Sequence, residues 1–298
     1  MTPSILTDWS AAKARAFTRE PLTFRHRLQE RLMFTDAELT QLLRRHPRER
    51  LGVYTAGEAG WRCGLPGDLS AAELLDAVRQ GRLWLQLRGL DRISDDYAGL
   101  RGEIVADHAR FAPHVRVTGC DLGLVIASPG MQAPYQADLA LASLFQIRGA
   151  RTVLVYPPAA PYVDDATLER IVLGECAGDA VAWDPAWDAA AQRFELEPGM
   201  MLTWPQNAPH RVVCGDSLNV SLSAQFMTPA ASARVDVLYA NGQLRRRFGM
   251  APALQQGLHP AAVGKAALAR LWRTVERERR FPAAQPQFRL ARVQTAAA

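Results

Sequence analysis

Between Val115 and Phe226 the apolar residues come in short runs separated by glycine and proline, a texture that a helical bundle cannot use but a stack of short strands can. Strands are expected at Val115 to Thr118, Leu122 to Ala127, Ser143 to Ile147, Thr152 to Tyr156, Arg193 to Leu196, Met201 to Trp204, His210 to Val213 and Leu218 to Phe226. Short strands at this spacing close into a sandwich or barrel. One insertion interrupts them. Asp164 to Gly174 holds Leu168, Ile171 and Val172 at helical spacing, and Asp179 to Asp188, with Trp183 and Trp187, reads as loop.

The flanks read differently. Thr35-Asp-Ala-Glu38 and Ser70-Ala-Ala-Glu73 are capping boxes, in which the hydroxyl and the glutamate each reach the other's backbone N–H. Leu39, Leu42 and Leu43 follow the first box, and Leu74, Leu75 and Val78 the second, which ends at Gly81, suited to a left-handed position. Leu51-Gly-Val-Tyr-Thr reads as a strand, Gly57 to Gly67 as a loop, and Leu83, Leu85 and Leu87 alternate with Trp84, Gln86 and Arg88 as a strand with one buried face. After Thr228, Val235, Leu238 and Tyr239 make a helix expected to stop at Asn241-Gly242. A last helix from Ala261 to about Arg280 carries the stripe Leu268, Leu271, Trp272, Val275. That stripe either packs on its own chain or forms a homodimer through the C-terminal helices. Residues beyond Pro282 read as a loose tail. The expected division is a helical N-terminal region over 1–112, with some strands, a β core over 113–228, and C-terminal helices over 229–298.

Composition narrows the classes. With 298 residues, 48% of them hydrophobic, the chain can bury a substantial core. The N-terminus lacks the basic and apolar blocks of a signal peptide, and no run of eighteen apolar residues exists, so a cytoplasmic protein with no membrane partner is expected. Cys63, Cys120, Cys176 and Cys214 form no CxxC pair, which argues for reduced thiols over a zinc knuckle or disulfide framework. The net charge of +5 comes from arginines interleaved with acids, the pattern of solvated helix faces, and Arg245-Arg-Arg247 has no stacking aromatics beside it. No nucleic-acid partner is expected. No GxxxxGK[ST] loop or nucleophile motif is present.

Chemistry concentrates in two stretches. Gly130-Met-Gln-Ala-Pro-Tyr-Gln136-Ala-Asp138 is answered downstream by Gly199-Met-Met-Leu-Thr-Trp-Pro205-Gln-Asn207-Ala-Pro-His210. Each places metal-donor side chains after a glycine-marked turn. Residues i and i+2 of a strand share a face, so Gln136 and Asp138 can both point into a barrel. Two histidines and a carboxylate on one face of a metal, with other positions open, define the mononuclear iron sites of oxygenases. Here glutamine stands where the first histidine belongs. Pro205 and Asn207 shape the turn before His210.

These spacings resemble the two cupin motifs. Ser128-Pro-Gly-Met-Gln-Ala-Pro-Tyr-Gln-Ala-Asp-Leu, followed by Leu144-Phe-Gln-Ile-Arg-Gly-Ala-Arg-Thr-Val-Leu-Val-Tyr-Pro-Pro158, resembles the JmjC, or cupin-like, branch of the 2-oxoglutarate oxygenases, over about Gly119 to Met227. The resemblance implies a mainly β fold with flanking helices, a double-stranded β-helix or jelly roll. It places the His-x-Asp/Glu pair on Gln136 and Asp138, the distal histidine on His210, and the lysine that anchors 2-oxoglutarate on Arg151, whose fork also holds a carboxylate. A threonine often found three residues before the first metal histidine is Ala133 here. Tyr135 and Trp204 are expected near the pocket, as substrate contacts or as barrel-filling aromatics.

Three readings of function follow. The first is an Fe(II)/2-oxoglutarate oxygenase hydroxylating a peptide or small molecule, with Gln136, Asp138 and His210 on the metal and 2-oxoglutarate on Arg151. The second is a degenerate cupin that lost iron chemistry and binds a ligand or partner. The third uses another first-row metal for non-oxidative chemistry. An amide oxygen is a weaker donor than imidazole, so metal binding weaker than a two-histidine site gives is expected.

Overall fold

The computed structural model describes residues 3–57, 60–179, 181–250, 252–254, 260–275 and 286–291. Its strands are β1 (Leu22–Arg25), β2 (Leu51–Gly57), β3 (Gly60–Leu65), β4 (Leu83–Arg88), β5 (Gly119–Ala127), β6 (Gln132–Gln136), β7 (Leu141–Arg148), β8 (Arg151–Val155), β9 (Gln192–Leu196), β10 (Met200–Trp204), β11 (His210–Cys214), β12 (Asn219–Met227) and β13 (Phe288–Arg289). Its helices are α1 (Ala11–Ala16), α2 (Asp36–Arg45), α3 (Ala71–Gln80), α4 (Asp95–Phe111), α5 (Asp165–Val172), α6 (Pro229–Phe248) and α7 (Pro260–Val275).

Among the described residues the strands form two sheets. The larger runs β1-β10-β7-β12-β5-β4-β2-β3-β13 and the smaller β6-β11-β8-β9. From β5 to β12 the chain passes back and forth between the sheets, except that β8 and β9 follow one another in the smaller one, and the neighbouring strands of this core pair antiparallel. This is the mainly β, double-stranded β-helix architecture expected from the motifs. The inner faces meet in a core of Val125, Ala127, Ala142, Leu144, Leu202 and Trp204 from one sheet and Ala133, Val153, Val155, Leu196, Val212 and Cys214 from the other. The outer face of the larger sheet buries Leu124, Ile126, Phe145 and Leu222 in one core with Leu39, Leu42, Leu74, Val78, Leu100 and Ile104 of α2, α3 and α4. Each such aliphatic side chain contributes on the order of 1.5–3 kcal/mol when fully buried.

Several expectations need correction. Residues 116–118 are not a strand, since the first core strand starts at Gly119. The segment expected as a loop from Gly57 to Gly67 contains β3, which pairs with β2. Strand β4 is buried on both sides at Trp84, which reaches the barrel core while Leu83, Leu85 and Leu87 face the other. Gly81 follows α3 at φ −103 and so is not left-handed. Helix α6 runs through Asn241-Gly242 to its left-handed cap Gly249, because a Cβ on Gly242 would lie 2.7 Å from Leu173 Cδ1: that glycine allows close packing on α5 and does not end the helix.

The C-terminal helix also turns differently. α7 presents Ala262, Ala266 and Ala269 as buried residues, whereas Leu271 of the expected stripe is 61% exposed. Small side chains let α7 approach α6, and Asp236 of α6 holds Arg270 and Arg273 of α7. The expected end of this helix over 276–280 lies outside the described residues. The tail is not loose throughout: β13 adds a parallel edge strand to β3. All four cysteines are free, with Cys214 buried. Among the described residues no helix is long and apolar enough to cross a membrane.

Candidate functional site

The two glycine-marked turns behave as their sequences require. Gly130 and Gly199 sit at φ +66 and +87, where a side chain would be strained. The first turn feeds β6. In the pairing of β6 with β11, His210 faces Gln136 and Val212 faces Ala133, so two residues of β6 stand opposite one of β11. This bulge reverses the alternation. Ala133 and Gln136, three apart, both turn to the inner face, and Pro134-Tyr135 absorbs the extra residue.

Gln136 and His210 are therefore cross-strand neighbours, with the glutamine Nε2 3.0 Å from the histidine Nε2. Asp138, two residues past the end of β6, brings Oδ2 to 3.8 Å from the same nitrogen. His210 Nδ1 lies 3.2 Å from the Ala208 carbonyl, which can only accept, so Nδ1 carries the proton. Nε2 then offers its lone pair, which accepts from the Gln136 amide. Burial lowers the His210 pKa and so favours the neutral ring, opposed by Asp138 and the Ala208 carbonyl. Trp204 packs on it at 4.5 Å between ring centroids.

Arg151 occupies the other end of the same inner face. Register pairs Val155 with His210 and Arg151 with Cys214, so four residues, about 13 Å of strand, separate the two levels. The guanidinium is buried at 2% exposure, and Nε, Nη1 and Nη2 all lack a hydrogen-bond partner. Burial pulls its pKa down, opposed by Cys214. Its nearest aromatic is Trp84, whose ring lies 5.7 Å away. A buried charge with no partner costs several kcal/mol, a cost that an anion at this end of the barrel would offset.

The structure thus brings Gln136, Asp138, His210, Trp204 and Arg151 to one barrel interior. It does not bring Tyr135 there. The bulge turns that ring to the outer face of the smaller sheet, where it packs with Tyr156 at 4.9 Å and Trp187 at 5.9 Å and donates its hydroxyl to the Tyr162 carbonyl. Three residues beside the site carried no expectation of this role. Trp84 reads in sequence as the exposed face of a strand. Asn207 donates Nδ2 to the Asp138 carbonyl at 2.9 Å and accepts from Arg234 Nε at 2.7 Å. Asn207, between Pro205 and Pro209, was a visible turn signal; nothing marked Arg234.

The donor chemistry fits a metal with one weak ligand. Among the described residues no three His, Cys, Asp or Glu gather around a point; the side chain beside Asp138 and His210 that could add a third donor is Gln136, through its amide oxygen. Two donors at right angles with bond lengths of about 2.1 Å stand roughly 3 Å apart. Asp138 Oδ2 lies 3.8 Å from His210 Nε2, and Gln136, which here turns its Nε2 to His210 at 3.0 Å, would have to turn its amide over to present the oxygen. The partnerless Arg151 fits a carboxylate in the same interior.

The two sheets and their inner-face residues define a double-stranded β-helix. Solved structures of the Escherichia coli protein YcfD share this fold. One X-ray structure of YcfD superposes with a TM-score of 0.54 at 16% identity, covering 90% of this chain and 68% of that one. YcfD as a ribosomal oxygenase in complex with cobalt and 2-oxoglutarate gives a TM-score of 0.53 at 18% identity, covering 90% and 67%. At such identity the likeness establishes the fold. No family model matches the sequence, and no curated protein matches it.

Proposed function

We propose that the chain is an oxygenase that uses a divalent metal, Fe(II), and 2-oxoglutarate. The observation that carries this reading is Arg151, a fully buried guanidinium without a partner on the strand that flanks His210. Asp138 and His210 hold the metal with Gln136 as the third donor, and Arg151 takes the far carboxylate of the oxo acid. Bound iron supplies oxygen activation coupled to oxidative decarboxylation of 2-oxoglutarate. The chain's own residues supply the rest. His210 stays neutral in its apolar setting, Asp138 brings negative charge, and Val153, Val155, Leu202 and Trp204 keep water from the interior. The YcfD complex with cobalt and 2-oxoglutarate supports this ligand set, and YcfD's being a ribosomal oxygenase supports a protein or peptide substrate over a free small molecule.

A second reading has its own observation: the Gln136 amide occupies the His210 lone pair, so the interior is satisfied there without metal. A degenerate cupin that binds an anion on Arg151 and does no iron chemistry would have this arrangement. Succinate production separates the two. Turnover of 2-oxoglutarate by the full chain with Fe(II) and oxygen, lost in His210→Ala, supports the oxygenase; no turnover with candidate ribosomal peptides supports the binding protein.

A further inference from the structure

Asp138 lies beyond the last residue of β6, so no strand ladder fixes it, yet it carries the only full negative charge in the proposed donor set. What holds it is the turn between β10 and β11. Gln206 donates Nε2 to the Leu139 carbonyl at 2.7 Å and to the Ala231 carbonyl at 3.1 Å, tying the turn to α6. The next residue, Asn207, is 1% exposed and left-handed at φ +63, a conformation asparagine tolerates better than most residues. Its amide is used at both ends, as donor to the Asp138 carbonyl and as acceptor from Arg234 Nε.

Arg234 makes this more than a turn. It sits on α6, and burial pulls its pKa down; Asp165 opposes that only at a distance. A partly desolvated guanidinium matched to a neutral amide oxygen is a costly way to shape a loop. Its Nε cannot accept, so it forces the Asn207 oxygen towards α6 and the Nδ2 donor towards Asp138. The orientation of Asn207 is therefore set by α6.

We infer that Asn207, oriented by Arg234, is a positioning residue that fixes Asp138 against His210 for metal binding. This rests on the metal-binding reading above. Groups that orient metal ligands typically contribute about 10–100-fold in affinity.

The test is calorimetric titration of Co(II) into the metal-free full chain, with the Co(II) absorption spectrum as second readout. Asn207→Asp keeps the size, the left-handed backbone and the acceptor for Arg234, but removes the donor to Asp138. Co(II) affinity is expected to fall about 10–100-fold with a changed spectrum. Arg234→Gln is expected to give a smaller loss in the same direction, and it decides the matter if Asn207→Asp does not fold. Unchanged Co(II) affinity and spectrum in the folded variants, whatever happens to melting temperature, overturn the positioning role while leaving the metal site standing. Wild type that binds no Co(II) overturns the metal reading itself, and the positioning role with it.

Discussion

Replacing Arg151 by methionine should move stability in opposite directions with and without ligand. The guanidinium is fully buried and its three nitrogens have no partner. An unsatisfied buried donor costs about 1–3 kcal/mol, and replacing buried charge with an apolar side chain of similar volume stabilises folds by about 1–4 kcal/mol. The lost contact with the Trp84 ring, 5.7 Å away, returns about 0.5–1 kcal/mol of that. The net gain, roughly 0–3.5 kcal/mol, raises the melting temperature by about 2 °C or more per kcal/mol in a chain of this size. With 2-oxoglutarate at a hundred times its dissociation constant, wild type gains about 2.7 kcal/mol and the variant gains nothing. Scanning calorimetry of both proteins, with and without 2-oxoglutarate, reads the two effects together. A ligand-free variant that melts below wild type, or one that keeps the ligand-induced rise, refutes the assignment of Arg151 as an anion anchor.

Gln136→His replaces an amide donor with imidazole and removes the hydrogen bond that now occupies His210 Nε2. That bond is worth about 1 kcal/mol, so its removal alone should tighten Co(II) binding by roughly fivefold by calorimetry, with the stronger imidazole donor adding to it; no metal binding by either form would remove the metal site. His26 and His108 are buried, with pKa values pushed down to about 4, chiefly by burial. Between pH 6.5 and 4 the unfolded chain binds protons there and the folded chain does not. Stability therefore falls with decreasing pH, by about 1.4 kcal/mol per unit for each ring, and His108→Phe should flatten the slope in urea melts at pH 4.5 and 6.5. Gly64→Val drives a side chain into the ring of Phe288. Losing β13 uncovers the β3 edge, so limited proteolysis should cut near residues 286–291 faster than in wild type.

The core strands were legible because each is a short apolar run closed by glycine or proline, and the meeting of Gln136, Asp138 and His210 because the spacing after each glycine places them at facing strand ends. What stayed hidden has physical causes. Helix α4 buries Asp107 and His108 beside Leu100 and Ile104 and contains two glycines, so it carries no clean apolar stripe. Asp107 is inside because it accepts the backbone N–H groups of Ile5 and Leu6, a partnership a hundred residues away in sequence. The bulge that turns Tyr135 outward depends on register with β11, which no local pattern records. Strand β13 is two residues long and owes its existence to an edge strand more than two hundred residues earlier. The tie from Arg234 through Asn207 to Asp138 joins a helix, a turn and a strand end, and each looks ordinary alone.

If a metal on Asp138 and His210 and an oxo acid on Arg151 share one barrel interior and the oxo acid reaches the metal, each tightens the other's binding, and by the same factor. Calorimetric titration of 2-oxoglutarate into the chain, with and without saturating Co(II), measures that coupling. At least about tenfold tighter 2-oxoglutarate binding in the presence of Co(II), or roughly 1.4 kcal/mol, is expected, with the coupling lost in Arg151→Met. Equal affinities with and without Co(II) would contradict a shared site.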